Sequence, residues 1–230
     1  VFEGGNNPTK AYLKSNGLST SMINRFFHPL FSGIFLEDDL RTNERMFRFV
    51  FRMMSKGNMV LPKEGIASAP RQLAQRLGDE NIHLNCDVTI VDETTVKIDG
   101  EATSFDAVIR AFNSTQHLEK RHVWTLHFDA EHSPLASNHV LLNADVKQND
   151  GLIAHLAVPS DVQPSYAPAG RSLVTVTVVG ERADALRLTT PELLKRRCEM
   201  KSISGSQLKL PHGVCSQPNT LSTPCPKSAH

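Results

Sequence analysis

The sequence predicts a chain of the α/β class, with helices concentrated in its first part and strands in its later part. Apolar side chains recur every three or four residues across 37–56 and 68–77, which is typical of helices that bury one face. From residue 82 onward, apolar and polar residues alternate in short runs separated by Gly, Pro, Asn and Asp. This second pattern is typical of strands joined by turns.

Length and composition are consistent with one or two globular domains. The chain has 230 residues, of which 40% are hydrophobic, enough to form a buried core. Lys and Arg number 25 against 24 Asp and Glu, and this balance provides no field that would attract a polyanion. We therefore expect no nucleic-acid partner. No apolar run is long enough to span a bilayer, and four cysteines are too few for a disulfide scaffold.

The first predicted helix follows the most apolar segment of the chain. That segment, Phe26–Leu36, contains Pro29 and Gly33, so we do not expect a continuous helix across it. A helix is predicted from Glu37 to about Lys56, because its apolar residues then share one face. Gly57 provides the stop signal.

A second helix is predicted to begin at Ser68 and to end at Gly78. Ser68 can cap its first turn, and Pro70 suits that turn because no backbone donor is needed there. Its buried face is expected to carry Ala69, Leu73 and Leu77.

Strand patterns occupy the next part of the chain. Residues 82–84 alternate, and Val88–Val91 and Val96–Ile98 flank a polar turn in the manner of a hairpin. Asp99-Gly100 is a tight-turn pair, and Ala107–Phe112 is interpreted as a buried strand. Further strands are predicted at 123–128, 139–142, 152–158 and 173–179, and a last helix at 191–199.

The two ends of the chain lack these patterns. Residues 201–230 are rich in Ser, Pro, Thr and Lys, and we expect this tail to be disordered or aberrant. The chain begins with Val1 and shows no charged-then-apolar leader, so we expect a fragment or a processed product.

Motifs that would identify a catalytic residue are missing. The sequence contains no GxSxG, GxxxxGK[ST], HExxH, CxxC or GxGxxG pattern, so no catalytic residue is assigned. Four histidines fall five residues apart, a spacing that does not converge on one point of a helix or strand. We therefore predict no metal site from His117, His122, His127 and His132.

A basic stripe runs along the first predicted helix beside an apolar face. One interpretation is an amphipathic helix that touches anionic lipid. The more ordinary interpretation is a solvated arginine face over a protein core, and nearby acidic residues favour it. A weak contact with a membrane surface stays open. The stripe consists of Arg41, Arg45, Arg48, Arg52 and Lys56.

Two strand ends offer places where a backbone could approach a flat ligand. Val88 opens one predicted strand, and Ala111 lies near the end of another, where a small side chain leaves room. A purely structural β-meander explains this order of elements about as well.

The order of these segments and their residues resemble those of the flavin-dependent amine oxidase superfamily, which includes protoporphyrinogen oxidases and phytoene desaturases. The resemblance covers roughly Arg25 to Gly180. It is carried by Phe31–Leu36, Pro62-x-x-Gly65-Ile66, Gln72-Leu73-Ala74, Ile82–Val91, Val96–Gly100, Asp106–Ala111 and Pro159–Gly170.

The resemblance implies an incomplete α/β fold, namely an α+β substrate domain with the central part of a Rossmann-like FAD domain. In that organisation the substrate domain has helices in 1–60 and a sheet in 116–200. Residues 61–115 are the segment that returns to the FAD domain, and 201–230 is the tail. The flanking sequence implies a cytoplasmic location, with a plastid as the alternative.

The resemblance also implies FAD as cofactor and a small-molecule substrate that is apolar or an amine. Val88 would contact the adenine end of FAD through its backbone. Ala111 and Phe112 would lie beside the cofactor, and Gly65 would permit the tight turn before the next helix. Hydride would pass from the substrate to the flavin. The oligomeric state is not implied.

Two family segments are not found in this sequence, the Gly-rich phosphate loop and the segment near the flavin ring. We therefore expect the isolated chain to bind FAD weakly or not at all and to be inactive. One alternative narrows the chemistry to a desaturase acting on an apolar polyene or porphyrin, in keeping with the aromatic Phe26–Leu36. Another is a non-catalytic truncated product or partner-binding remnant.

Overall fold

The computed structural model describes residues 5–111, 121–144, 151–199 and 219–220. The chain divides into two compact units. The larger unit is formed by Val1–Lys63 with Lys120–His230, and the smaller unit by Glu64–Glu119. Helices and antiparallel sheets are mixed, which confirms the predicted α/β class. No helix among the described residues is long and apolar enough to cross a membrane.

The described helices belong to the larger unit except for one, α5. In chain order they are α1 (Thr9–Ser15), α2 (Thr20–Met22), α3 (His28–Phe35), α4 (Glu44–Lys56), α5 (Ser68–Leu77), α6 (Pro159–Val162), α7 (Gly180–Ala185) and α8 (Pro191–Glu199).

The described strands form two sheets. They are β1 (Val88–Ile90), β2 (Thr95–Ile98), β3 (Glu101–Ser104), β4 (His122–Ala130), β5 (Leu141–Leu142), β6 (Ile153–Ala157), β7 (Ser172–Val179) and β8 (Asn219–Thr220). The smaller unit holds the sheet β1-β2-β3, and the larger unit holds the sheet β5-β6-β7-β4-β8.

The apolar segment Phe26–Leu36 is helical without interruption as far as Phe35, so the prediction of a broken helix was wrong. A π-helical turn, Ile23–Phe27, leads directly into α3. Pro29 falls in the first turn of α3, directly after the π-helical turn, and the helix runs on through it. Gly33 faces the imidazole of His155, and a Cβ at this position would overlap the ring. Here glycine permits close helix-to-strand packing.

The helix predicted from Glu37 begins only at Glu44, as α4. Asn43 caps it, since its side chain accepts a hydrogen bond from the Arg45 backbone N–H at 2.9 Å. The preceding residues form a loop because Leu36 and Leu40 both adopt left-handed backbone angles. The predicted stop at Gly57 is confirmed. Helices α1 and α2 lie in a polar stretch for which no helix was predicted.

One face of the larger sheet forms the main core of its unit. Alternate residues of β4 and β7 point into it, and α8 covers it. The buried side chains include Trp124, Leu126, Phe128, Val174, Val176, Val178 and Leu194. The predicted strands 123–128, 152–158 and 173–179 are confirmed with small boundary changes. The predicted strand 139–142 shortens to β5, and the predicted helix 191–199 matches α8.

A second core consists mainly of aromatic rings from the helices. Phe31 of α3 lies 4.8 Å from Phe47 of α4, measured between ring centroids, and Phe47 stacks on Phe51 at 5.6 Å. The buried members are Leu13, Ile23, Phe27, Phe31, Phe35, Leu40 and Phe47.

In the smaller unit, several side chains that the sequence predicts to be buried are exposed. The hairpin β1–β2 is confirmed, and the polar strand β3 extends it after the Asp99-Gly100 turn. The predicted buried face of α5 is wrong, because Leu73 is 61% exposed and Leu77 is 59% exposed. Ser68 is not the cap, since Ala67 holds that position and Ser68 Oγ donates to the Gly65 carbonyl instead.

Two predicted strands of the smaller unit do not form. Residues 82–87 run as irregular chain into β1. The described part of Ala107–Phe112 is irregular too, and Ile109 is 88% exposed, so the prediction of a buried strand was wrong. An apolar run becomes a strand only when it pairs. In this segment the Val108 N–H donates to the Glu93 carbonyl (2.8 Å), outside any ladder.

The remaining predictions reach beyond the described residues. Phe112 lies outside them, and so does the tail 201–230 apart from 219–220, which pair with β4 as β8.

Candidate functional site

The first candidate surface is the outer edge of β1 in the smaller unit. Residues of an antiparallel ladder bond to the neighbouring strand at every second position. The Asp99 N–H donates to the Asp87 carbonyl (2.8 Å), and the Val91 N–H donates to the Thr95 carbonyl (3.0 Å). Positions 87, 89 and 91 therefore face β2. Val88, between them, directs its N–H and carbonyl away from β2.

The edge to which Val88 points carries no paired strand in the part of the chain that the structure describes. The Val88 side chain is 51% exposed, so the backbone is also approachable there. An unpaired strand edge presents a donor and an acceptor at a fixed spacing. Such an edge can bind the polar rim of a flat heterocycle.

Gly65 lies in the turn before α5. Its φ is 78°, a left-handed conformation that favours glycine. Its carbonyl accepts hydrogen bonds from the Ser68 N–H (3.1 Å) and Ser68 Oγ (2.8 Å). A Cβ at Gly65 would meet no atom within 4 Å. Glycine is therefore favoured here by the backbone conformation and not by a close approach of another group.

Ala111 is exposed and ends the described stretch of the smaller unit. Its segment returns to the end of the hairpin through the bond between Val108 and Glu93. A shallow cavity of about 320 Å³ lies there, lined by Ile90, Val91, Asp92, Glu93, Val108 and Arg110. The structure thus brings the segment of Ala111 beside the strand of Val88, whereas Gly65 belongs to the turn before α5. Their roles toward a cofactor stay predictions.

A deeper pocket lies in the larger unit, between α1, the π-helical turn and α4. Its volume is about 560 Å³, and its lining is mostly aromatic and aliphatic. Phe47 and Phe51 lie one turn apart on α4, as do Arg48 and Arg52, so α4 gives the pocket both an apolar wall and a basic rim. The lining residues are Tyr12, Leu13, Asn16, Leu18, Phe27, Phe47, Arg48, Phe49, Phe51, Arg52 and Ser55.

Two histidines lie on the second face of the larger sheet. His127 Nδ1 is 3.1 Å from Thr175 Oγ1, and His155 lies beneath Gly33 of α3. Burial lowers the pKa of both imidazoles, which favours their neutral forms. The sequence pattern included His127 only as one of a poorly spaced series and did not single out His155. No cluster of potential metal ligands occurs among the described residues.

Buried charges fix the loop between α3 and α4. Glu37 is fully buried; its Oε1 accepts from the Thr42 N–H (2.6 Å), and its Oε2 lies 3.0 Å from Arg121 Nη2. Asp38 pairs with Arg182 and lies near His28. Burial alone would raise the pKa of Asp38, but hydrogen bonds from His28 and Arg182 hold it well below its usual range.

The end of the larger unit's first segment is also fixed. Tyr166 donates its hydroxyl to the Pro62 carbonyl (3.0 Å), and Ser165 Oγ donates to the Lys63 carbonyl (2.7 Å). These bonds hold the chain at the point where it passes into the smaller unit.

Three solved structures share the fold of this chain. An oxidoreductase from Methanosarcina mazei matches with TM-score 0.61 and 16% identity, over 81% of this chain and 50% of its own. A Pyrococcus furiosus protein matches with TM-score 0.62 and 16% identity, over 98% of this chain and 60% of its own. Reduced UDP-galactopyranose mutase matches with TM-score 0.57 and 12% identity, over 96% of this chain and 56% of its own.

The chain therefore spans between 50% and 60% of the length of these structures, and identities this low show the fold alone. No curated protein sequence matches the chain. The family model for flavin containing amine oxidoreductases matches residues 6–201, which is most of the sequence. The family implies a flavin cofactor. On this match, the chain belongs to the family of flavin containing amine oxidoreductases.

Proposed function

We propose that this chain is part of an FAD-dependent oxidoreductase in which the outer edge of β1 receives the adenine end of FAD. The observation that carries the proposal is the outward direction of the Val88 N–H and carbonyl, which follows from the register of β1 and β2. Family membership supports the flavin, and the open edge supports its adenine end as the group bound here.

The residues at this edge fit such a group. Adenine presents both hydrogen-bond donors and acceptors along its rim, and Val88 offers one acceptor and one donor to meet them. The half-exposed Val88 side chain gives the ring an apolar surface. When bound, a flavin supplies the redox step by accepting a hydride from the substrate. The chain's own residues bind and orient, and no general base is assigned.

The substrate is proposed to be a small apolar molecule or an amine, carried by the larger unit. The pocket between α1 and α4 supports the apolar choice, because the buried rings of Phe27 and Phe47 line it and its volume suits a small-molecule site. A desaturase-like activity on an apolar substrate is the finer form of this proposal.

A titration of the full chain with FAD tests the proposal. Val88→Pro removes the outward N–H of β1 without taking a donor from the ladder, since proline is tolerated on sheet edges. Ala102→Pro makes the same change at an outward position of β3, on the opposite edge of the same sheet. Ala102 faces outward because its neighbours Glu101 and Thr103 lie opposite the β2 positions that bond to β3.

We expect weak but saturable binding of FAD to the wild-type chain and to Ala102→Pro, followed by the fluorescence anisotropy of the flavin. Val88→Pro should lose this binding while its circular dichroism stays that of the wild type. Equal affinity in all three chains would contradict the assignment of the β1 edge. The sequence left two outcomes open, weak binding of FAD and none. The unpaired edge of β1 predicts weak binding, so absence of binding to the wild-type chain would contradict the assignment of this edge.

A further inference from the structure

We propose that the pocket between α1, the π-helical turn and α4 binds an amphipathic anion, a molecule with an apolar body and a carboxylate head. The aromatic wall would hold the apolar body, and Arg48 and Arg52 would hold the carboxylate. This inference deepens the proposed function and rests on it only for calling the ligand a substrate. The binding itself needs no flavin.

The apolar part of the pocket is built from side chains of the second core. Leu13, Phe27 and Phe47 are each at most 5% exposed, so they form a fixed floor. Tyr12 lies 6.0 Å from Phe47, and Phe51 stacks on Phe47 with an interplanar angle of 13°. Phe51 itself is 40% exposed, an apolar ring left open to solvent at the pocket wall. An apolar ligand would cover it.

The basic part of the pocket consists of Arg48 and Arg52, which are both exposed. Neither the Arg48 nor the Arg52 guanidinium contacts a carboxylate among the described residues. Glu44, one turn before Arg48, is buried, accepts a hydrogen bond from Asn7 (3.4 Å) and forms no ion pair with Arg48. Four arginines elsewhere in the larger unit are paired with acids, namely Arg41 with Glu181, Arg121 with Glu37, Arg171 with Asp129 and Arg182 with Asp38.

The charge of the side chains that line the pocket determines which ligand charge it favours. No Asp or Glu lines it, and its other polar groups are neutral, namely Tyr12, Asn16 and Ser55. Two guanidinium groups on one face of α4 would repel an ammonium and would donate charge-assisted hydrogen bonds to a carboxylate. The pocket therefore favours an anionic apolar substrate over an amine.

The shape of the pocket argues for a single small molecule rather than a lipid surface. Its volume of about 560 Å³ lies within the range of small-molecule sites, roughly 300–1,000 Å³. A bilayer would meet a projecting apolar face, whereas here Phe27 and Phe47 line a recess and are themselves buried.

Calorimetric titration of the full chain with decanoate, without flavin, tests the inference. The comparison ligands are decylamine, which reverses the head charge, and butyrate, which lacks the apolar body. The test variant is R48Q/R52Q, which changes two exposed side chains. The matched control is R71Q/R76Q, which removes the same charge from two exposed positions of α5 in the smaller unit.

We expect saturable binding of decanoate and no measurable binding of decylamine or butyrate. R48Q/R52Q should weaken decanoate binding by about tenfold or more, because it removes both groups that would donate charge-assisted hydrogen bonds to the carboxylate. R71Q/R76Q should bind decanoate like the wild-type chain. Phe51→Ser should weaken it as well, because it removes the exposed ring of the wall.

Three results would overturn the inference. They are absence of decanoate binding, equal decanoate affinity in R48Q/R52Q and the wild type, or tighter binding of decylamine than of decanoate. Binding of vesicles containing anionic lipid, lost in R48Q/R52Q and unaccompanied by decanoate binding, would assign these arginines to a membrane surface instead. None of these results bears on FAD binding at Val88, so the two proposals fail separately.

Discussion

Arg121→Met is expected to destabilise the larger unit by removing the nearer of two ionic partners of the Glu37 carboxylate, the farther being Arg41, whose Nε lies 3.9 Å from Glu37 Oε2. Glu37 is fully buried, and its Oε2 lies 3.0 Å from Arg121 Nη2 without a well-aligned hydrogen bond, so the attraction is mainly between charges. Arg121 Nη1 also donates to the Phe35 carbonyl (2.9 Å) and to Thr42 Oγ1 (3.0 Å). Methionine keeps an unbranched apolar stem like that of arginine, lacks the guanidinium and so removes all of these contacts.

The expected size of the effect follows from the burial of the two partners. Removing one partner from a buried ion pair costs about 3–5 kcal/mol. The Arg121 side chain is 36% exposed, so water can reach Glu37 Oε2 after the change, and the lower end of about 3 kcal/mol applies. In the double variant E37Q/R121M no buried charge is left, and stability should partly recover relative to R121M.

Urea unfolding followed by tryptophan fluorescence is the appropriate assay. Trp124 is the single tryptophan of the chain and is 5% exposed on β4, so its emission reports the larger unit. With an m value of about 3 kcal/mol per molar urea, R121M should lower the unfolding midpoint by about 1 M. The control R171M breaks an exposed pair with Asp129 and should shift the midpoint only slightly. An unchanged midpoint in R121M, or a double variant no more stable than R121M, would refute the reasoning.

Two further predictions concern the contact between α3 and the larger sheet, measured in the same assay. Gly33→Val should lower the midpoint, because its side chain would overlap the His155 imidazole and overpacking costs about 1–3 kcal/mol. Gly57→Ala, where the nearest atom would be 3.6 Å from the new Cβ, should not lower it. His155→Gln should flatten the pH dependence of stability between about pH 7 and pH 5. Burial lowers the pKa of His155, so the unfolded chain binds a proton at a higher pH than the folded chain does. The stability of the wild type therefore decreases as the pH is lowered.

The elements that could be predicted from the sequence are those in which local pattern and tertiary role agree. The strict alternation in 173–179 matches β7, because one face of that strand is buried along its whole length. The helix predicted at 191–199 matches α8, and the hairpin around Asp92–Thr95 forms because Asp92 accepts hydrogen bonds from the Thr94 and Thr95 backbone.

The elements that were missed depend on contacts far away in the sequence. Pro29 and Gly33 indicate a break when considered alone, yet the π-helical turn accommodates the first and the packing of His155 requires the second. The apolar run 107–111 has the composition of a buried strand. Pairing decides whether such a run becomes a strand, and composition does not encode the partner.

The residues of the candidate sites likewise divide into features that the sequence could predict and features that depend on tertiary structure. The strand of Val88 could be predicted, but the outward direction of its backbone depends on the register with β2, which alternation alone does not fix. The basic stripe was identified by its spacing. Its division into Arg41, which pairs with Glu181 in a distant helix, and Arg48 and Arg52, which line a pocket, follows from tertiary structure.

The most direct test of the central claim is to map ligand contacts on the smaller unit by amide proton–nitrogen correlation spectra of the full chain. Titrations with FAD, with ADP and with FMN separate the two ends of the cofactor. We expect FAD and ADP to shift the resonances of Val88 and Ile90 and FMN to leave them unchanged, while the resonances of Ala102 stay unchanged in all three titrations. Shifts by FMN but not ADP, or shifts confined to residues away from β1, would contradict it.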